Sequence, residues 1–102
     1  MRDDDILTGT LVEETWLTVE EMATVCTVEP QWLRHRLEEG LFPRTECVAG
    51  TWRFSEEHLR RARRMREMER LFDAEPELAA LVADLLDEMD DLRARLRRAG
   101  LD

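Results

Sequence analysis

The side chains most able to do chemistry in this 102-residue sequence are two histidines, two cysteines and fifteen arginines, the last set among 24 acidic residues. His35 and His58 have no Ser, Cys or carboxylate at the spacing of a nucleophile and its base, and the four glycines form no phosphate-cradling loop. Cys26 and Cys47 stand apart, with no CxxC and no histidine at ligand spacing, so neither a metal site nor a disulfide framework is expected. The pattern predicts no catalysis, no cofactor and no metal. Both cysteines are expected as small buried or half-buried thiols. His58, four places into a capped helix, reads as a capping or surface residue.

The charged residues remain as the chemistry to be explained. The net charge is -9, so the average field repels a phosphate backbone. It is unevenly spread: residues 1–54 carry net -6, residues 55–72 net +2 and residues 73–102 net -5. Arginines are thus concentrated in one segment with acidic segments on both sides. Intrahelical pairs of Arg60, Arg63 and Arg64 with Glu67 and Glu69 are expected to absorb part of that charge. No stretch approaches the roughly 18 apolar residues of a membrane span, and "MRDDDILTGT" lacks the regions of a signal peptide, so a cytoplasmic location is expected.

The elements that position these residues follow from local signals. Residues 1–16 have no helical period and read as an extended lead-in, with a strand pairing at the domain edge as one outcome. Thr18 and Glu21 form a capping box, and Val19, Met22, Ala23 and Cys26 fall on one helical face. Pro30 suits the first turn of a second helix, whose buried edge is Leu33, Leu37 and Leu41, and Gly40 with Pro43 ends it. "TECV" and "TWRF" around "AG" predict a two-stranded hairpin. Ser55 then caps a third helix with Leu59, Ala62, Met65, Met68 and Phe72 on its apolar stripe and arginines opposite.

"FDAEPEL" breaks that helix, and a fourth begins near Pro76. Its apolar positions Leu78, Val82, Leu85, Met89, Leu92, Leu96 and Ala99 alternate spacings of four and three, a heptad seam. The seam must be buried, either on its own domain or, as the heptad regularity favours, on a second copy. Acidic "DEMDD" and basic "RARLRR" along one helix give a weak preference for antiparallel pairing.

These residues carry a family resemblance. Gly40-Leu41-Phe42-Pro43 closing the second helix, Trp52-Arg53-Phe54 in the hairpin, and Ser55-Glu56-Glu57 opening the third helix resemble the MerR-type winged helix. The fold class expected is mainly α: a MerR-like winged helix-turn-helix over residues 17–72 with a short β-hairpin wing, and a C-terminal heptad helix over 76–99 serving as a dimerisation element.

Within that superfamily the chain most resembles the chaperone modulator CbpM family, through the extended lead-in, the "TWxF" strand and the leucine-rich final helix. The resemblance implies binding to the J domain of a CbpA/DnaJ-type co-chaperone and inhibition of its stimulation of DnaK. J domains, as the resemblance implies, present a basic helix, for which an acidic competitor with an apolar anchor is suited. Trp16 and Trp32 beside Glu20, Glu21, Glu29, Glu38 and Glu39 are the contact candidates. The alternative is a MerR-type DNA-binding transcriptional regulator, a resemblance that would place Arg34, Arg36, Arg44 and Arg53 against DNA. Acidic Glu29, Glu38 and Glu39 on the second helix count against that alternative.

Overall fold

A computed structural model describes residues 14–100. Most of the lead-in expected over residues 1–16 therefore lies outside the described residues. Its last part begins the sheet as β1 (Thr15–Leu17), followed by α1 (Val19–Cys26), α2 (Pro30–Glu38), β2 (Cys47–Val48), β3 (Thr51–Phe54), α3 (Glu56–Phe72) and α4 (Pro76–Arg98). The fold is mostly helical with a small antiparallel sheet ordered β1-β3-β2, the expected winged helix-turn-helix with a C-terminal helix.

Each boundary has a local cause. The Thr18 capping box forms as expected: the Glu21 amide donates to Thr18 Oγ1 at 3.1 Å, and the Thr18 amide donates to Glu21 Oε1 at 2.8 Å. Left-handed Thr27 (φ 61°) stops α1, and Pro30 starts α2 three residues later. Gly40 (φ 75°) turns the chain out of α2. The hairpin closes through Ala49 (φ 53°) and Gly50 (φ 83°), two consecutive positive φ angles that match the twist of a two-residue hairpin turn. Trp16 lies opposite Arg53 in the β1–β3 ladder, so the strand before the first helix braces the wing.

The core is built where these elements meet. Met22, Leu33, Phe54 and Met65 are the largest fully buried side chains, contributed by α1, α2, β3 and α3. Leu33 and Leu37 are buried and Leu41 half-buried, as the second-helix pattern predicted. The third-helix stripe holds through Leu59, Ala62 and Met65 but fails at its end, where Phe72 is 69% exposed. Cys26 is buried, and burial pushes its thiol up to about 12, while Cys47 on the wing is exposed rather than half-buried.

His58 caps α3 as expected, yet it is buried rather than on the surface. The Ser55 amide can only donate, so His58 Nδ1 accepts from it at 3.0 Å and the protonated Nε2 donates to the Pro43 carbonyl at 2.7 Å. The ring lies 6.0 Å from Phe54 and 6.3 Å from Phe42. This neutral tautomer ties the chain entering the wing to the chain leaving it. Burial lowers the His58 pKa below the usual value, outweighing the Pro43 hydrogen bond that raises it. The unfolded chain therefore binds the proton more readily, and stability is complete above the ordinary histidine range of about 6.5 and falls as pH drops below it. Urea unfolding at pH 7.5 and 5.5 should show that loss, and His58→Asn, whose amide can still accept from Ser55, should flatten it.

Candidate functional site

The helix-turn-helix face and the wing hold the arginines that the DNA reading requires, and all four sit against carboxylates of the same chain. Arg34 meets Glu20 at 2.8 Å, Arg36 meets Glu69 at 3.0 Å, Arg44 meets Glu57 at 2.6 Å, and Arg53 lies 3.4 Å from both Glu14 and Glu46. The Arg44 contact holds the Glu57 carboxyl below its ordinary range. Arg36 is the most enclosed of the four, with its guanidinium also 5.2 Å from the centre of the Trp32 ring. These contacts span separate elements: α1 to α2, α2 to α3, the loop after α2 to α3, and both flanks of β3.

The acidic candidates are scattered by the same pairing. Glu20 is engaged by Arg34, Glu39 approaches Arg36 at 3.6 Å, and Glu29 meets Arg66 at 3.2 Å, which lowers the Glu29 pKa through that hydrogen bond. Glu21 serves the capping box. Trp32 is half-buried, and its indole donates to Glu69 at 2.7 Å. Among the described residues, Glu38 makes no ion pair, and Trp16 stands 46% exposed on β1. The candidates thus do not form one continuous acidic face: Trp16 and Glu38 are the two left open.

A second charged arrangement was not anticipated from sequence. Three of the six α3 arginines pack against α4: Arg61 reaches Asp84 at 2.5 Å, Arg64 reaches Asp87 and Asp90 at 2.8 Å each, and Arg60 lies 3.5 Å from Asp87. The expected pairs with Glu67 and Glu69 inside α3 give way to these, because Glu69 faces α2 and Glu67 pairs with Arg70. Arg63 instead donates to the Val25 carbonyl at 3.2 Å. The signal was present in the sequence as aspartates at 84, 87 and 90, one helical turn apart and off the leucine seam. Beside this ladder an open cleft of about 450 Å³ runs between α4 and the loop before the wing, lined by Glu57, Asp84, Asp87, Glu88, Asp90 and Asp91 with Arg44 and Arg60.

The heptad seam is likewise resolved into two faces. Helix α4 folds back on α3 through Ala79, Ala80 and Ala83, all buried, while Leu78, Leu85, Met89, Leu92 and Leu96 remain about half exposed and Val82 half-buried. No helix among the described residues is long and apolar enough to cross a membrane.

No curated protein and no solved structure shows a significant match to this chain. The family model described as MerR HTH family regulatory protein matches residues 17–99, which takes in the helix-turn-helix, the wing and both long helices. With that span of the 102 residues matched, the chain belongs to the MerR HTH family of regulatory proteins.

Proposed function

We propose that this MerR-family chain acts by binding a protein: as a CbpM-like chaperone modulator, it engages the J domain of a CbpA/DnaJ-type co-chaperone and inhibits its stimulation of DnaK. One observation carries the reading. Each arginine that a DNA-binding version of this fold would offer to phosphates is already matched by a carboxylate of its own chain, on a molecule of net charge -9. Phosphate binding gains most of its strength from releasing counterions around unpaired cations, and these guanidinium groups would first have to give up their partners. A basic helix meets no such obstacle at Glu38, and Trp16 offers an exposed aromatic anchor of the type that dominates interfaces.

The second reading, a DNA-binding regulator, is favoured by the family match itself. Calorimetric titration with the isolated J domain at two salt concentrations separates the two. The modulator reading expects saturable binding that weakens with salt, about tenfold weaker for Trp16→Ala and less affected by Glu38→Lys, which acts mainly through encounter. No complex at either salt, together with an operator complex abolished by Arg34→Ala or Arg36→Ala, would establish the regulator instead.

A further inference from the structure

Helix α3 ends in an apolar ledge that its own domain leaves uncovered. Met68, Leu71 and Phe72 stand at i, i+3 and i+4 in its last turns, so their side chains are neighbours. Met68 is half-buried against the core, whereas Leu71 is 54% exposed and Phe72, at 69%, is the most exposed large apolar side chain among the described residues. Neither exposed side chain is needed to turn the chain, because the elbow closes through backbone: the Asp73 amide donates to the Met68 carbonyl. Adjacent large apolar side chains left in water mark an interaction site.

The rim of the ledge is acidic. Asp73, Glu75 and Glu77 follow it within five positions, are exposed, and make no ion pair among the described residues. Local structure uses little of that charge. Glu75, at the N-cap of α4, makes no capping bond with its side chain, and Asp73 holds a left-handed turn (φ 54°) that glycine would take with less strain. Arg70, the nearest cation in the sequence, is engaged by Glu67 at 3.0 Å.

We infer that this elbow seats a basic amphipathic helix of a partner protein, with the helix's apolar residues over Leu71 and Phe72 and its Lys and Arg side chains against Asp73, Glu75 and Glu77. The apolar anchor supplies affinity, and the acidic rim supplies encounter and orientation. The inference rests on the modulator reading and deepens it, assigning the basic helix of the J domain to the C-terminal end of α3. Trp16 belongs to the other end. Its neighbour Thr15 pairs with Phe54, just before α3 begins, and the seventeen residues of that helix at 1.5 Å each put about 25 Å between the two anchors. Their contributions are therefore separable by mutation.

The test is a calorimetric titration of the full chain with the isolated J domain. Phe72→Ala, which keeps the fold because the ring is exposed, should weaken binding at least tenfold, and Asp73→Lys with Glu75→Lys should remove most of its salt dependence. If the unmodified chain binds and neither variant changes the affinity or its response to salt, the inference is overturned and the modulator reading stands. Absence of binding by the unmodified chain overturns both. Sedimentation of Phe72→Ala without the J domain covers the remaining occupant: loss of self-association there would assign the ledge to a second copy and overturn the inference as well.

Discussion

Phe54→Ala is expected to destabilise the protein by about 3–5 kcal/mol, the usual cost of removing a fully buried phenyl ring. Phe54 has no exposed surface, ends the wing strand opposite Thr15 and meets the His58 ring edge-on at 6.0 Å. The residue therefore fills the space between the sheet and the capped start of α3, and its loss leaves the cap without one wall. Domains of this size hold together by about 5–15 kcal/mol, so the variant gives up roughly a fifth or more of the total. At about 4–8 °C per kcal/mol the midpoint of thermal unfolding should fall by roughly 12 °C or more. Phe72→Ala, at a ring 69% exposed, is the control and should change stability by less than about 0.5 kcal/mol. Equal melting of the two variants would mean that the wing strand does not bear on the core in this way.

Arg61→Ala is the second large effect, about 2–4 kcal/mol in urea unfolding, for a different reason. Arg61 is 7% exposed, and its guanidinium donates through Nε to the Leu41 carbonyl at 2.7 Å and through Nη1 to Asp84 at 2.5 Å. Truncation leaves that carbonyl without its donor and opens a cavity. Arg61→Lys should recover little, because a single ammonium cannot reproduce a planar fork that reaches two acceptors on different elements. Asp84→Ala should cost less than Arg61→Ala, since the Asp84 side chain is 58% exposed and water replaces it readily as a partner. A double-mutant cycle on the two positions measures their coupling directly.

Much of this fold was legible because its signals are local. The Thr18–Glu21 box, Pro30 and Pro76 at first turns, Gly40 after α2 and the Ala49-Gly50 turn each act within four residues, and each appears where its type requires. What failed were properties set by distant neighbours. Phe72 has the right helical phase to be buried, but α3 outlasts the core beneath it. His58 has the position of a cap, but only the return of Pro43 across the wing buries it. The candidate site was legible as residue types and not as a surface. Charge alone singled out Glu20, Glu29 and Glu39 as partner contacts, whereas Arg34, Arg66 and Arg36 approach them from the same or neighbouring helices. The heptad seam was seen correctly as apolar, yet it is the alanines beside it that decide which side of α4 meets α3.

The joint between α3 and α4 combines a smooth surface with a toothed one. Ala79, Ala80 and Ala83 present almost no relief, and by themselves would let one helix glide along the other. Arg60, Arg61 and Arg64 engage Asp84, Asp87 and Asp90 beside them, and a slip of half a helical turn, about 2.7 Å, would pull those contacts out of line together. Guanidinium groups stay charged at any working pH, and the hydrogen bond from Arg64 holds the Asp90 carboxyl below its ordinary range, so that contact persists below the pH at which a free aspartate would protonate. A push along the axis of α4 is consequently passed to the base of the wing as motion of a single stiff lever, with no slack taken up between the two helices.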